Sequence, residues 1–124
     1  MRFTFSTKEK LKSRKQIELL FKEGNSLKHF PLRLKYLKVE EFETPIKVAF
    51  SVPKRNVKLA VDRNRIKRLM REAYRLSKHE FQLNNNVGFI MMFIYTDKHE
   101  RTYLEIEKKM QRIIHEFNNT EIEK

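Results

Sequence analysis

The segment AVDRNRIKRLMREAYR, residues 60–75, sets Arg63, Arg65, Lys67, Arg68, Arg71 and Arg75 against only two acids, Asp62 and Glu72. Guanidinium groups grouped this closely are suited to one chemistry, the bidentate binding of phosphate oxygens. Asn64 interrupts an Arg-Asn-Arg triplet, and Lys54 and Arg55 add two more cations just upstream. So many like charges repel one another, and water, salt or a polyanion must relieve that repulsion.

Other chemistry is missing. The chain has no cysteine, which excludes disulfides, thiolate metal sites and cysteine nucleophiles. His29, His79, His99 and His115 are scattered without metal-ligand spacing, and no glycine-rich phosphate loop occurs. Glu40, Glu41 and Glu43 fall in a connection and read as a solvated loop. No nucleophile and base stand at a supporting spacing, so no catalytic residue and no protein-held metal are assigned.

The charge is placed unevenly. The formal net charge is +12; residues 1–75 hold 21 Lys and Arg against 8 Asp and Glu, whereas residues 76–124 hold 7 against 8. Charge of this kind speaks to partners rather than to fold, and the first partner to consider is a polyanion. At 124 residues with 40% apolar content, the chain is expected to form a single domain over 1–124 with a modest core. MRFTFSTKEK lacks the apolar core of a signal peptide, and FIMMFIY (89–95) is too short to span a bilayer. The expectation is a cytoplasmic protein with no membrane partner.

The elements that must carry these residues follow from periodicity. Ser13-Arg14-Lys15-Gln16 fits a capping box, as does Ser6-Thr7-Lys8-Glu9. Ile17, Leu20 and Phe21 then share a helical face, and Gly24 is expected as a left-handed stop, giving a helix over about 13–23. PLRLKYLKV (31–39) and IKVAFSV (46–52) alternate with period two and read as strands; NSLKHF (25–30) suggests a shorter one. VGFIMMFIY (87–95) is apolar on both faces, as an interior strand requires. A capping box at Thr102-Tyr103-Leu104-Glu105 opens a last helix with the stripe Tyr103, Ile106, Met110, Ile113, Ile114 and Phe117, and the tail from about 118 is expected to fray.

The basic segment reads as a helix over 57–78. On a helical wheel Ile66, Leu69, Met70, Ala73 and Leu76 share one side, and Asn64, Lys67, Arg68, Arg71 and Arg75 share the other. An ordinary solvated face is the plain reading of such a run. Solvated faces, however, usually interleave acids at four-residue spacing, and here the ridge reads as like charges alone. A lipid surface needs bulky apolar residues free to insert, and these are required by the sheet. No helix-turn-helix signature precedes the segment. RNA, recognised through its shape and phosphates, remains.

SVPKRNVKLAVDRNRIKRLMREAYR (51–75) resembles the signature of the bacterial ribonuclease P protein subunit, with the Arg63-Asn64-Arg65 triplet followed by Lys67, Arg68 and Arg71. The likeness extends upstream through KLKSRKQIELLFKEGNS (10–26) and covers essentially the whole chain. The resemblance implies an α+β fold: a single α-β-β-β-α-β-α two-layer sandwich like a ribosomal-protein domain, with a left-handed β-α-β crossover through the basic helix. It implies a subunit of an endoribonuclease whose catalytic centre, with its magnesium ions, lies in the RNA partner. The protein then binds the catalytic RNA with Lys54, Arg55, Arg63, Asn64, Arg65, Lys67, Arg68, Arg71 and Arg75. It holds the 5′ leader of precursor tRNA in a cleft between the first helix and the sheet.

The strand reading supplies a counterpart for that cleft. Arg33, Lys35, Lys47 and Ser51 make one sheet face too polar for core, and Ile17 and Phe21 stand at its edge as an apolar wall. Such a groove suits a single strand, with phosphates on the cations and a base against a ring. Phe21 is equally readable as packing for the helix. Ile17 and Lys35 stand where relatives commonly place aromatics, which favours phosphate contact over stacking, and Lys10 stands where arginine is usual. Two alternatives stay open: a non-catalytic RNA-binding or ribosome-associated factor, and a nuclease acting alone.

Overall fold

In the strand Gly88–Tyr95 every residue is buried, so both of its faces must be covered. The computed structural model describes residues 9–40, 44–83 and 87–122 and shows how. The elements run α1 (Arg14–Glu23), β1 (Asn25–His29), β2 (Leu32–Val39), β3 (Ile46–Ser51), α2 (Ala60–Ser77), β4 (Gly88–Tyr95) and α3 (Tyr103–Phe117). This is the expected α-β-β-β-α-β-α order. The possible capping box at Ser6–Glu9 and the acids Glu41 and Glu43 fall on or run into segments outside the described residues.

The sheet order is β1-β2-β4-β3. β1 and β2 form an antiparallel hairpin, β2 and β4 are antiparallel, and β3 runs parallel to β4, so α2 is the crossover between parallel neighbours. β4 is thus the interior strand that its unbroken apolar run predicts.

The main core lies on one face. Leu32, Leu34 and Tyr36 of β2, Ile46 and Val48 of β3, and Phe89, Met91, Phe93 and Tyr95 of β4 pack against Ile66, Met70 and Tyr74 of α2 and the stripe of α3. Aromatic rings knit it: Phe117 meets Tyr36 and Phe89 edge-on, each at 5.0 Å between centroids. Sheet and α2–α3 are the two layers of the expected sandwich. The opposite face carries a second, smaller cluster of Leu11, Leu20, Ile90, Met92 and Ile94, which α1 covers. That face was expected to be too polar for core; its β4 positions are apolar, and they draw α1 down as a partial third layer.

Local details refine the boundaries. Ser13 caps α1, accepting the Gln16 N–H at 3.3 Å, whereas the reciprocal bond from the Gln16 side chain is absent among the described residues. Thr102 and Glu105 form the full capping box of α3. The tail does not fray at 118: Asn118–Ile122 form a π-helical turn. Asn118 donates to the Glu80 carbonyl at 2.9 Å and accepts from the Gln82 N–H at 3.0 Å, while Tyr36 donates its hydroxyl proton to Glu121 at 3.0 Å. Burial, and then the Glu121 carboxylate, push the Tyr36 phenol well above its usual range.

Gly24 is not left-handed: φ is −71° and ψ 154°. Glycine is needed there for closeness. Its N–H meets the Leu20 carbonyl at 2.8 Å, and a Cβ would stand 2.3 Å from that same oxygen and 3.1 Å from the Tyr36 carbonyl. Gly24→Ala is therefore expected to destabilise the fold by about 1–3 kcal/mol, the usual cost of forced overpacking. Urea titration with an unchanged m-value checks this; full stability in the variant would show that the α1–β1 junction yields freely.

Candidate nucleic-acid interface

α2 docks through Ile66, Met70, Ala73, Tyr74 and Ser77, all buried. The buried stripe takes Tyr74 in place of the expected Leu76, which stays exposed. Tyr74 lies between Phe50 at 5.7 Å and Phe93 at 5.9 Å, and its burial drives the phenol pKa far upward. Pinning this side fixes the other. Asn64, Arg65, Arg68 and Arg71 are exposed, and Lys67 and Arg75 are half-buried.

The ridge is not made of like charges alone, as the helical wheel suggested. Arg65 donates through Nη2 to Asp62 at 2.6 Å and through Nε to Glu100 at 2.5 Å. Arg75 pairs with Glu72, whose carboxyl this hydrogen bond holds below the usual carboxylate range. Arg63 turns back on its own chain, and Nη1 donates to the carbonyls of Val57 at 3.0 Å and Lys58 at 2.6 Å. The acids were visible at three-residue spacing for Asp62 and Glu72; Glu100 comes from a distant loop and left no signal in the segment. What stays without an ion pair among the described residues is the middle of the ridge, Lys67, Arg68 and Arg71. The flanking pairs are open to solvent, contribute little net stability and are weakened by salt, so a phosphate can compete for their arginines.

On the other sheet face a depression of about 270 Å³ is lined by Phe21, Arg33, Ser51, Pro53, Arg55, Asn56, Ile94 and Thr96. The register explains its polar rim: Arg33 and Ser51 both pair with Ile94, one from each side of β4. Phe21 walls it, 48% exposed. Lys35 stands over the Phe21 ring at 5.2 Å and donates to the Phe21 carbonyl at 3.2 Å. Arg33 donates from Nη2 to Ser26 at 3.2 Å, while its Nε is buried with no partner among the described residues.

Two expected cleft residues lie elsewhere. Ile17 packs into the small cluster under α1. Lys47 shares the sheet face but pairs with Ile90, four residues along β3 from Ser51, roughly 13 Å away at strand rise. Arg55, expected among the residues that bind the catalytic RNA, lines the depression. Pro53, Asn56 and Thr96 were missed because they lie outside the strands, where periodicity is silent.

One loop ties both regions together. Asp97, 7% exposed, accepts from the Lys98 N–H at 2.7 Å, the His99 N–H at 3.2 Å and Arg101 Nε at 2.6 Å. Tyr95 donates its hydroxyl proton to the His99 carbonyl, and burial, then the nearby Asp97 carboxylate, push that phenol up to about 12. The same loop presents Glu100 to Arg65, and Arg101 lies 5.3 Å from the Phe30 ring.

An α+β sandwich with a cationic helix face, and a half-apolar depression behind the sheet, defines a small α+β protein with a surface suited to a polyanion. The comparisons agree. Residues 5–118 match the Ribonuclease P family, and the chain belongs to it. A Ribonuclease P protein component from Porphyromonas gingivalis is 44% identical over 62% of this chain and 57% of its own length. One from Borreliella afzelii is 33% identical over 84% of this chain and 91% of its own. Another, from Chlorobaculum tepidum, is 49% identical over 51% of this chain, and the match spans only 44% of that relative. In fold, the RNase P protein of Staphylococcus aureus superposes with a TM-score of 0.72, 21% identity and coverage of 88% of this chain and 94% of that one. The Thermotoga maritima RNase P protein gives 0.71 and 23%, covering 87% and 96%.

The loop supplies a pH test. Burial alone would raise the Asp97 carboxyl, but the bonds from Arg101, His99 and Lys98 outweigh it and leave the pKa below its ordinary value. A depressed folded pKa gives stability that is present above the unfolded value, near 4, and lost as pH falls through the folded one. Asp97→Asn is thus expected to be less stable than the parent at pH 6, with the gap closing as pH falls from about 4 toward 2. A gap that stays constant with pH in thermal melts would show that Asp97 does not carry it.

Proposed function

We propose that this chain is the protein subunit of ribonuclease P, binding the catalytic RNA along α2 and the 5′ leader of precursor tRNA in the depression behind the sheet. The observation that carries this is the row Lys67, Arg68 and Arg71, left without an internal ion pair among the described residues on a helix whose other face is pinned to the core. Phosphates neutralise such a row, and guanidinium favours them bidentately. The depression adds what a flexible strand needs, an exposed ring at Phe21 and cations at Arg33, Lys35 and Arg55. Arg33 brings to the rim a guanidinium whose Nη2 bonds Ser26 and whose Nε has no hydrogen-bond partner among the described residues.

In this reading the chemistry belongs to the RNA, which holds the magnesium ions that hydrolyse the phosphodiester, and the protein contributes position and charge. Among the described residues no group of three His, Asp or Glu side chains is arranged to hold a metal ion, and no helix is long and apolar enough to cross a membrane. The cytoplasm is the proposed setting.

The test is cleavage of precursor tRNA at low magnesium with the chain, the catalytic RNA, or both. Cleavage at the mature 5′ end is expected only with both. RNA binding without any stimulation of cleavage would mean a non-catalytic RNA-binding or ribosome-associated factor, and cleavage by the chain alone would mean a nuclease. Binding to the catalytic RNA is expected to fall steeply with salt; duplex precedent for 6–10 phosphate contacts is roughly a 10³- to 10⁵-fold loss between 50 and 200 mM. Arg68→Ala and Arg71→Ala are each expected to lower the slope of log affinity against log salt by about 1. Phe21→Ala and Lys35→Ala should instead weaken binding of leader-bearing substrate and leave leaderless tRNA unaffected; equal losses on both would remove the leader from the depression.

A further inference from the structure

Arg63 opens the basic ridge in sequence, yet its side chain does not join the outward row. Nη1 donates to both the Val57 carbonyl at 3.0 Å and the Lys58 carbonyl at 2.6 Å. Bonds from a charged donor are among the stronger ones available. They close the chain segment that leads into α2, whose N-cap, Leu59, makes no side-chain capping bond.

That segment is held at further points. The N–H groups of Asn56 and Val57 both donate to the Pro53 carbonyl, at 3.0 and 3.1 Å, forming a tight turn over Pro53–Val57. Asn56 Nδ2 donates to the Tyr95 carbonyl at 3.3 Å, anchoring the turn to the end of β4. Val52 and Val57 are buried on either side of it. Lys54 and Arg55 are the exposed residues at its apex, and Arg55 lines the depression beside Arg33 and Phe21. The turn therefore has an anchor on the sheet, two in the core and one on α2, and Arg63 is the one on α2.

We propose that Arg63 is a positioning residue: it fastens the Pro53–Lys58 turn to the start of α2 and thereby sets Arg55 at the rim of the depression, without holding an RNA phosphate of its own. The proposal rests on the RNA-binding reading above and changes the role of one residue within it. The triplet Arg63-Asn64-Arg65 is then divided. Its first member serves the turn, and its third, paired with exposed acids, stays available to the partner. The ridge and the depression, on opposite faces of the sheet, become mechanically connected through this turn.

The test is a double-substitution cycle in the assembled ribonucleoprotein, with leader-bearing and leaderless precursor tRNA across a salt series. Arg55→Ala and Arg63→Ala are each expected to weaken binding of the leader-bearing substrate and to lower its salt slope by about 1. The double variant should lower it by about 1 again, not 2, because both substitutions remove the same contact. Amide exchange at Asn56 and Val57 should accelerate in Arg63→Ala and stay as in the parent in Arg55→Ala, with β4 amides protected in both to show the fold intact. If Arg63→Ala does not fold, Arg63→Gln, which keeps a donor for one carbonyl, takes its place in the cycle. Additive losses with a combined slope change of 2, or unchanged exchange at the turn, would overturn the proposal. Failure of the underlying reading has a different signature: Arg68→Ala and Arg71→Ala leaving RNA affinity untouched.

Discussion

The structure depends on β4 being buried on both faces. Phe89, Met91, Phe93 and Tyr95 point to one layer and Ile90, Met92 and Ile94 to the other, so two helical layers must be supplied from different parts of the chain. Burying each large apolar side chain is worth roughly 1.5–3 kcal/mol. Like-charged helical neighbours cost only about 0.2–0.5 kcal/mol per pair. Burial therefore outweighs repulsion by a wide margin, and α2 stays docked through Ile66, Met70 and Tyr74 however crowded its other face becomes. The cationic surface is a consequence of that imbalance: once one side of the helix is fixed, Arg65, Lys67, Arg68, Arg71 and Arg75 lie on the others, and Arg63 turns back onto the chain before α2.

The same strand also sets where the second surface opens. α1 is drawn to the apolar patch of Ile90, Met92 and Ile94 through Leu20, and the N-terminal segment adds Leu11, whose N–H donates to the Val48 carbonyl at 3.0 Å. That cover stops short at the row Arg33–Ile94–Ser51, where the flanking side chains are polar. The uncovered end of the face becomes the depression, with Phe21 projecting over it from the last turn of α1. A helix that buries Leu20 fully and leaves the next residue 48% exposed has divided its apolar stripe between core and surface. Phe21 is the surface half of that division, exposed beside the depression while Leu20 is buried.

Periodicity made the elements legible because it reports which face is buried, and all four strands and three helices appear where the spacing puts them. Faces read from one strand at a time were less secure. Arg33 and Lys35 on β2 suggested an open polar face, but its character is decided by the neighbouring β4 residues, which a strand in isolation does not reveal. Gly24 shows a similar limit: the residue type was informative, but the cause is proximity to Leu20 and Tyr36 rather than backbone handedness. Side-chain partners distant in sequence were beyond reach. Nothing near Arg65 announces Glu100, and nothing near Tyr36 announces Glu121.

Among the described residues, charge pairing along α2 is confined to its two ends. If the acids of this chain served only to neutralise its arginines, they would be expected beside the most crowded cations, in the middle of the ridge. Instead Asp62 and Glu100 meet Arg65 near one end, and Glu72 meets Arg75 near the other. Lys67, Arg68 and Arg71 between them have no ion pair among the described residues. The arrangement concentrates charge without an ion pair among the described residues in a short central stretch and bounds it with solvent-open pairs that orient Arg65 and Arg75. A surface built only for solubility gains nothing from such bounding, because dispersed charge serves it equally well. A surface that must meet phosphates at defined places does gain, since oriented guanidinium groups lose less freedom on binding than free ones. The distribution of the acids, rather than the total of the bases, is what sets this helix face apart from an ordinary solvated one.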